Sequence, residues 1–186
     1  MNLIKENMTK ISRLLITHVA MSVFGLALFF TTNLMQPPYI MLIASLGSAV
    51  FFSVIVYTTM WEYGAKDKPA YDARRLENAP LRGFVTAFFA EAFWIVLALA
   101  YAIVATFNTN VASMIYVVEF LTSCCFTGIE VYLKNFVLSD GSSATPFVVA
   151  GVYILGSLIT SVSGMLGYIL GTKDITIIPK KNNTKK

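Results

Sequence analysis

Four stretches of this chain are long and apolar enough to cross a lipid bilayer as helices: Ile11–Leu34, Tyr39–Met60, Gly83–Phe107 and Pro146–Gly171. A helix rises about 1.5 Å per residue, so each covers the roughly 30 Å hydrocarbon core. None alternates apolar and polar residues as a face packed on a soluble core would, which is the pattern expected where lipid is the solvent. Composition agrees: 56% of the 186 residues are hydrophobic and only 13% charged, against about a quarter charged in a soluble domain. The expected fold class is all-α, a polytopic transmembrane helical bundle occupying residues 1–171 as one domain, with a basic tail at 172–186.

Prolines 37 and 38 break the first two spans into a tight hairpin. The basic N-terminus resembles a signal peptide, but the run from Leu14 to Phe30 continues into Thr31, Thr32 and Asn33 without a small-residue cleavage site. An uncleaved first span is expected. Cys124 and Cys125 are adjacent, which is neither a redox nor a zinc spacing, and read as small apolar fillers.

The stretch Val111–Leu138 is ambiguous. It is long enough to span, yet it carries Glu119, Glu130 and Lys134. Its second half is amphipathic: Glu130 and Lys134 are placed to pair on one helix face, while Ile129, Leu133, Phe136 and Val137 fall on the other. Basic residues bear on this. Apart from Lys134, every Lys and Arg lies before or at the very start of the first span, between the second and third, or after the last. If Val111–Leu138 does not cross, all of these share one side, as the positive-inside rule favours. Four spans are therefore expected, with both termini cytoplasmic and Val111–Leu138 an outer-face or re-entrant segment. A fifth span is the alternative. The net charge of +4 then serves topology, and no nucleic-acid partner is expected.

The polar connection Trp61–Arg82 mixes acids and bases, with Pro69 and Pro80 as breakers. Its middle, Tyr71–Asn78, has the composition for about two helical turns. Lys66, Asp67, Arg74 and Arg75 make it a candidate docking loop, set against a solvated loop with internal pairs such as Asp72 with Arg75. Trp61, Tyr63 and Tyr39 lie where an interfacial aromatic belt would. In the last span, Ser163, Gly167 and Gly171 are four apart, as are Gly156, Thr160 and Gly164. Small residues at that spacing let helices approach closely in lipid, within one chain or between copies. Gly25 and Gly47 are expected to serve similar contacts.

Ionisable groups inside lipid are costly and mark candidate sites. Glu91 lies among Phe88, Phe89, Phe93 and Trp94 in the third span, and His18 is the only histidine, in the first. Both are expected roughly 10 Å deep and facing each other, either as a proton- or cation-handling pair or as a buried bond fixing helix register. Glu119 is the third candidate, lining an outer vestibule or facing outer water. One histidine cannot supply a zinc-protease ligand set, and neither a Gly-rich phosphate loop nor a G-x-S-x-G elbow is present. Neither a cofactor nor a catalytic centre is expected.

Two segments resemble small multi-pass membrane proteins of Gram-positive bacteria. Trp61-Glu62-Tyr63-Gly64-Ala65-Lys66-Asp67 is similar to their W-x-x-G-x-[KR]-D exit from a span, and Gly167-Tyr168-Ile169-Leu170-Gly171-Thr172-Lys173 to their GYxLGxK-type end. The resemblance covers about thirty residues, and the Pro- and Arg-containing loop departs from it. It implies a bacterial cytoplasmic membrane and a last span exiting to the cytoplasm, and it brings no activity with it. Two roles follow from the residues: a non-enzymatic membrane component that packs with itself or a partner membrane protein, or a small transporter or substrate-binding subunit using Glu91, His18 and Glu119.

Overall fold

The computed structural model describes residues 2–34, 38–74, 76, 79–136 and 145–175. They form an all-α bundle without strands: α1 (Asn2–Leu34), α2 (Pro38–Asp72), α3 (Ala79–Ala105), α4 (Thr109–Thr122), a single 3-10 turn at Cys124–Phe126, α5 (Thr127–Phe136) and α6 (Thr145–Thr172). Four of these helices, α1, α2, α3 and α6, are long and apolar enough to cross a membrane.

Helix α6 runs alongside α2 in the same direction. Gly167 and Gly171 meet the backbone of Tyr57 and Trp61, and the indole of Trp61 donates to the carbonyl of Ile175 beyond the end of α6 (2.8 Å). Helix α3 is antiparallel to both, since its early Gly83 packs on Tyr168 near the end of α6. At the opposite end of the bundle, Ala105 at the end of α3 and Pro146 at the start of α6 line one cavity.

That geometry bears on the ambiguous stretch. Helix α3 ends and α6 begins at the same end of the bundle, so the segment between them must enter and return. Helices α4 and α5 are the two arms of a re-entrant hairpin, bent by 86° at Ser123. Both described ends of the chain therefore lie at one end, where Lys10 of α1 pairs with Asp67 of α2 (2.5 Å) and Asp67 accepts from Tyr168 of α6 (2.6 Å).

The packing inverts the soluble pattern. Ile16, Val23, Val50, Phe93, Val96, Ile103 and Ile159 point outward, where lipid tails are as favourable a medium as a protein core. Inside lie small and hydroxylated residues, among them Ser22, Ser45, Thr86, Ala87, Ala90, Ser157, Thr160 and Ser161. Several buried hydroxyls return to their own helix, as Thr86 does to Arg82 and Ser161 to Ser157 (2.8 Å each), a local bond that serves where no cross-helix partner is in reach. Both small-residue stripes of α6 are used within the chain. Gly167 and Gly171 face α2, where Ser163 also donates to Ser53 (2.9 Å). Gly164 meets Ala87 of α3, and Gly156 meets Phe126 at the hairpin tip.

Two expectations need correction. Trp61–Arg82 is mostly not a loop: α2 continues to Asp72 and α3 starts at Ala79. The stretch after Trp61 is rich in helix formers, and Pro69 lies inside α2 instead of ending it. Helix α2 closes instead through Arg74, whose φ of 54° is left-handed, with the Arg74 amide bonded to the Tyr71 carbonyl (2.9 Å). The two turns expected over Tyr71–Asn78 are thus absent beyond Asp72 among the described residues, which exclude Arg75 and Asn78. Gly47 meets no atom within 4 Å and makes no close contact. In α5 the charged face is turned inward, with Glu130 only 1% exposed, while Ile129 and Leu133 line an apolar groove against α2 and α6. Val137 lies outside the described residues.

Gly25, by contrast, is where the hairpin tip rests on α1. A Cβ there would stand 2.6 Å from the Cys125 amide nitrogen, a backbone atom that cannot swing away. We expect Gly25→Ala to destabilise the bundle by about 1–3 kcal/mol, and Gly47→Ala to be neutral or stabilising by up to about 1 kcal/mol through helix propensity. Thermal unfolding in detergent measures both; equal melting of the two variants would refute the docking of the tip on Gly25.

Candidate functional site

A re-entrant hairpin breaks its backbone ladder inside the bilayer, where water cannot satisfy the freed carbonyls and each costs several kcal/mol. The last turn of α4 leaves such carbonyls. The Thr122 carbonyl accepts from His18 Nε2 (3.1 Å) and from the Ser22 hydroxyl, both on α1. The Cys125 carbonyl accepts from Ser45 of α2 (2.7 Å). In the other direction, Cys125 Sγ contacts the Met21 carbonyl (3.1 Å) and Cys124 Sγ that of Phe120 (2.7 Å). Both cysteines are buried free thiols, filling the tip as small residues and adding weak donors.

His18 has a second partner. Its Nδ1 lies 3.1 Å from Glu91 Oε1 of α3 and equally close to Oε2. The two residues sit about midway along their helices and are almost wholly buried. The facing pair expected from the sequence is therefore present. Trp94 stacks on the imidazole (centroids 4.6 Å apart, planes at 21°) and Phe52 meets it edge-on at 5.1 Å. Chemistry assigns the protons. A carbonyl can only accept, so Nε2 carries hydrogen. One further proton is then shared between Nδ1 and the Glu91 carboxyl, giving either an ion pair or two neutral groups. Beyond that ion-pair contact, Glu91 Oε2 has no hydrogen bond among the described residues, and Trp94 Nε1 has none either.

A second polar cluster lies towards the open end of the hairpin. Glu130 of α5 accepts from Tyr116 of α4 (2.8 Å) and from Tyr153 of α6 (2.6 Å), and pairs with Lys134 one turn along its own helix. The Lys134 ammonium lies 4.5 Å from the centroid of the Tyr116 ring. Glu119, 1% exposed, is neither in outer water nor bonded: both carboxyl oxygens lack a partner among the described residues. Ala112, Tyr116 and Glu119 form one stripe of α4 by their spacing, so Glu119 lies one turn deeper than Tyr116, and the Thr122 carbonyl one turn deeper again.

The docking candidates fare differently. Asp67 is occupied by Lys10 and Tyr168, Lys66 lies 5.7 Å from the Tyr63 ring centroid, Arg74 is exposed, and Arg75 lies outside the described residues. Glu130, Tyr116, Tyr153, Ser22 and Ser45 carry roles that the sequence reading did not assign. A signal existed for Glu130 alone, as a charge within an apolar stretch. The tyrosines and serines look like any others in a span until the hairpin is folded back onto them. No protein-family model, curated protein or solved structure matches this chain.

Removing one partner of a buried pair strands the other, at about 3–5 kcal/mol. His18→Ala also removes one of the two donors to the Thr122 carbonyl, so it should cost more than Glu91→Gln, which keeps the shape and an acceptor. We expect the double variant to be less destabilised than the two single losses added together, by about 0.5–3 kcal/mol. A double-mutant cycle by thermal unfolding in detergent reads this, and strict additivity would mean that the pair is not coupled.

Proposed function

We propose that this membrane protein is a small carrier or solute-binding membrane subunit that couples a solute to a proton. The observation that carries the reading is a line of polar groups on one side of the bundle's mid-depth. From the cavity between α3, α4 and α6 it passes Tyr116 and Glu119, reaches the Thr122 carbonyl with Ser22, and ends at His18 and Glu91. Towards the basic end, Ile11, Leu14, Val56, Met60 and Ala87 pack in the buried core. Polar groups leading from one end to mid-depth are what a carrier needs to receive a solute. Broken helices at mid-depth are tolerated only where protein buries them or a cavity meets them, and transporters use such helix ends at their binding sites.

In this reading the basic end is cytoplasmic and the cavity faces the outside, as the clustering of Lys and Arg favours. The resemblance to Gram-positive proteins supports a bacterial cytoplasmic membrane. His18 and Glu91 share one proton, so neutralising either one changes the bonding of the hairpin tip. A role as a partner-docking component has less support, because Asp67 and both small-residue stripes are engaged within the chain.

The test is proton movement in vesicles. Purified protein reconstituted with a pH-sensitive dye inside should dissipate an imposed pH gradient faster than empty vesicles, in the presence of substrate if not alone. Glu91→Gln, which cannot ionise, should abolish the difference while still folding. Equal rates for Glu91→Gln and wild type would sink the proton-coupled reading.

A further inference from the structure

We propose that the groove between α2, α5 and α6 binds one acyl tail of a membrane phospholipid, which braces the hairpin tip from the lipid side. The site does not depend on the carrier reading.

The groove has a volume of about 710 Å³, within the roughly 300–1,000 Å³ that ligand sites occupy. Its walls are two stripes at helical spacing, Leu46, Val50 and Tyr57 on α2 and Val152, Leu155 and Ile159 on α6. The two helices close on each other beside Tyr57, whose backbone Gly167 meets. Further along, the hairpin tip lies between them, with Phe126 against Gly156 and Gly128 against the Met41 carbonyl. Ile129 and Leu133 of α5 complete the lining. Val50, Leu155 and Ile159 are each more than half exposed, so the groove opens sideways, at the depth of the apolar spans, into lipid.

Chemistry selects the occupant. Of the hydroxyls on the lining, Ser53 already donates to the Ala49 carbonyl and Ser163 to that of Ser53 (2.9 Å each), and the hydroxyl of Tyr57 is buried. Among the described residues no charged side chain lines the groove. The surface on offer is therefore hydrocarbon, which suits a tail and not a polar solute. A second copy of the chain fits less well. Helices that associate in lipid meet through small residues, whereas these walls are mainly Leu, Val and Ile, and Gly164, Gly167 and Gly171 already face α3 and α2. Length selects the kind of tail. From Leu46 to Tyr57 the helix rises about 16 Å, close to one leaflet's share of the roughly 30 Å hydrocarbon core. Trp61 lies one turn beyond Tyr57 towards the basic end, so the far end of the groove is about 22 Å from the level of Trp61. A long tail fills that distance and a short one does not.

The experiment is native mass spectrometry of the full chain released from mild detergent, paired with thermal unfolding of the delipidated protein titrated with dipalmitoyl or dihexanoyl phosphatidylglycerol. Wild type should carry one retained phospholipid per chain. Its melting temperature should rise saturably with the dipalmitoyl lipid, with an apparent affinity at least about tenfold tighter than for the dihexanoyl lipid. Val50→Trp and Leu155→Trp fill the groove from opposite walls, and each should lose the retained lipid and weaken dipalmitoyl binding by about tenfold or more. Val96→Trp, at an exposed position of α3 outside the groove, should change neither. If one filling variant does not fold, the other carries the test, and the comparison of the two lipids needs no variant. Retention undiminished in the filled variants, or equal affinity for the two lipids, overturns the proposal. So does a two-chain mass in wild type that Val50→Trp abolishes, which would give the groove to a second copy.

Discussion

Everything in this bundle depends on how the break between α4 and α5 is accommodated. A chain that turns back inside lipid exposes carbonyls to a medium with no donors, so the protein must bring donors to them. Here α1 supplies His18 and Ser22 to the Thr122 carbonyl, and α2 supplies Ser45 to that of Cys125. These bonds require the tip to approach both helices closely. Gly25 on α1 admits the backbone at Cys124–Cys125, and Gly128 on α5 rests against the Met41 carbonyl of α2. Glycine is used at these two places because a backbone atom occupies the position of a side chain.

The clamp has an electrostatic side. Thr122 ends a helix whose dipole places partial negative charge at that carbonyl, and Glu91 faces the opposite ring nitrogen of the same histidine. His18 thus lies between two acceptors, with aromatic rings on its remaining sides. A structural bond and a proton-handling site are not competing descriptions of this geometry. The group that holds the hairpin tip is also the one whose proton is shared with Glu91, so the position of the tip and the state of the pair are linked. In the second cluster, Glu130 takes up Tyr116, Tyr153 and Lys134 and so ties both arms of the hairpin to α6, while Glu119 has no hydrogen bond to its carboxyl among the described residues.

Several of these features were legible in the residues. The spans follow from hydropathy because lipid removes every alternative to a helix for an isolated apolar segment. His18 and Glu91 were identifiable as partners because each is a lone ionisable group at a similar depth. The clustering of Lys and Arg pointed to four crossings, and α2 and α6 run parallel, as an even number of crossings between their starts requires. Trp61–Asp72 was misjudged because proline and mixed charge suggest a loop, whereas packing of Gly64 against Tyr168, and the bonds of Asp67 to Lys10 and Tyr168, hold the extra turns of α2 in place. Gly47 was misjudged because a glycine's neighbours depend on which way its helix face turns.

What the sequence determined by itself was therefore the solvent and the elements: an all-α membrane protein, four apolar spans, and a fifth segment too charged to be an ordinary one. These are local properties, set by hydropathy over a window the length of a span. Only the tertiary structure decided that the fifth segment returns to its own side, that Glu130 faces inward, and which carboxyl is left without a partner. Whether a buried charge is satisfied depends on donors from distant parts of the chain. Tyr153 meets Glu130, and His18 meets Thr122, only once α1 and α6 are packed around the hairpin.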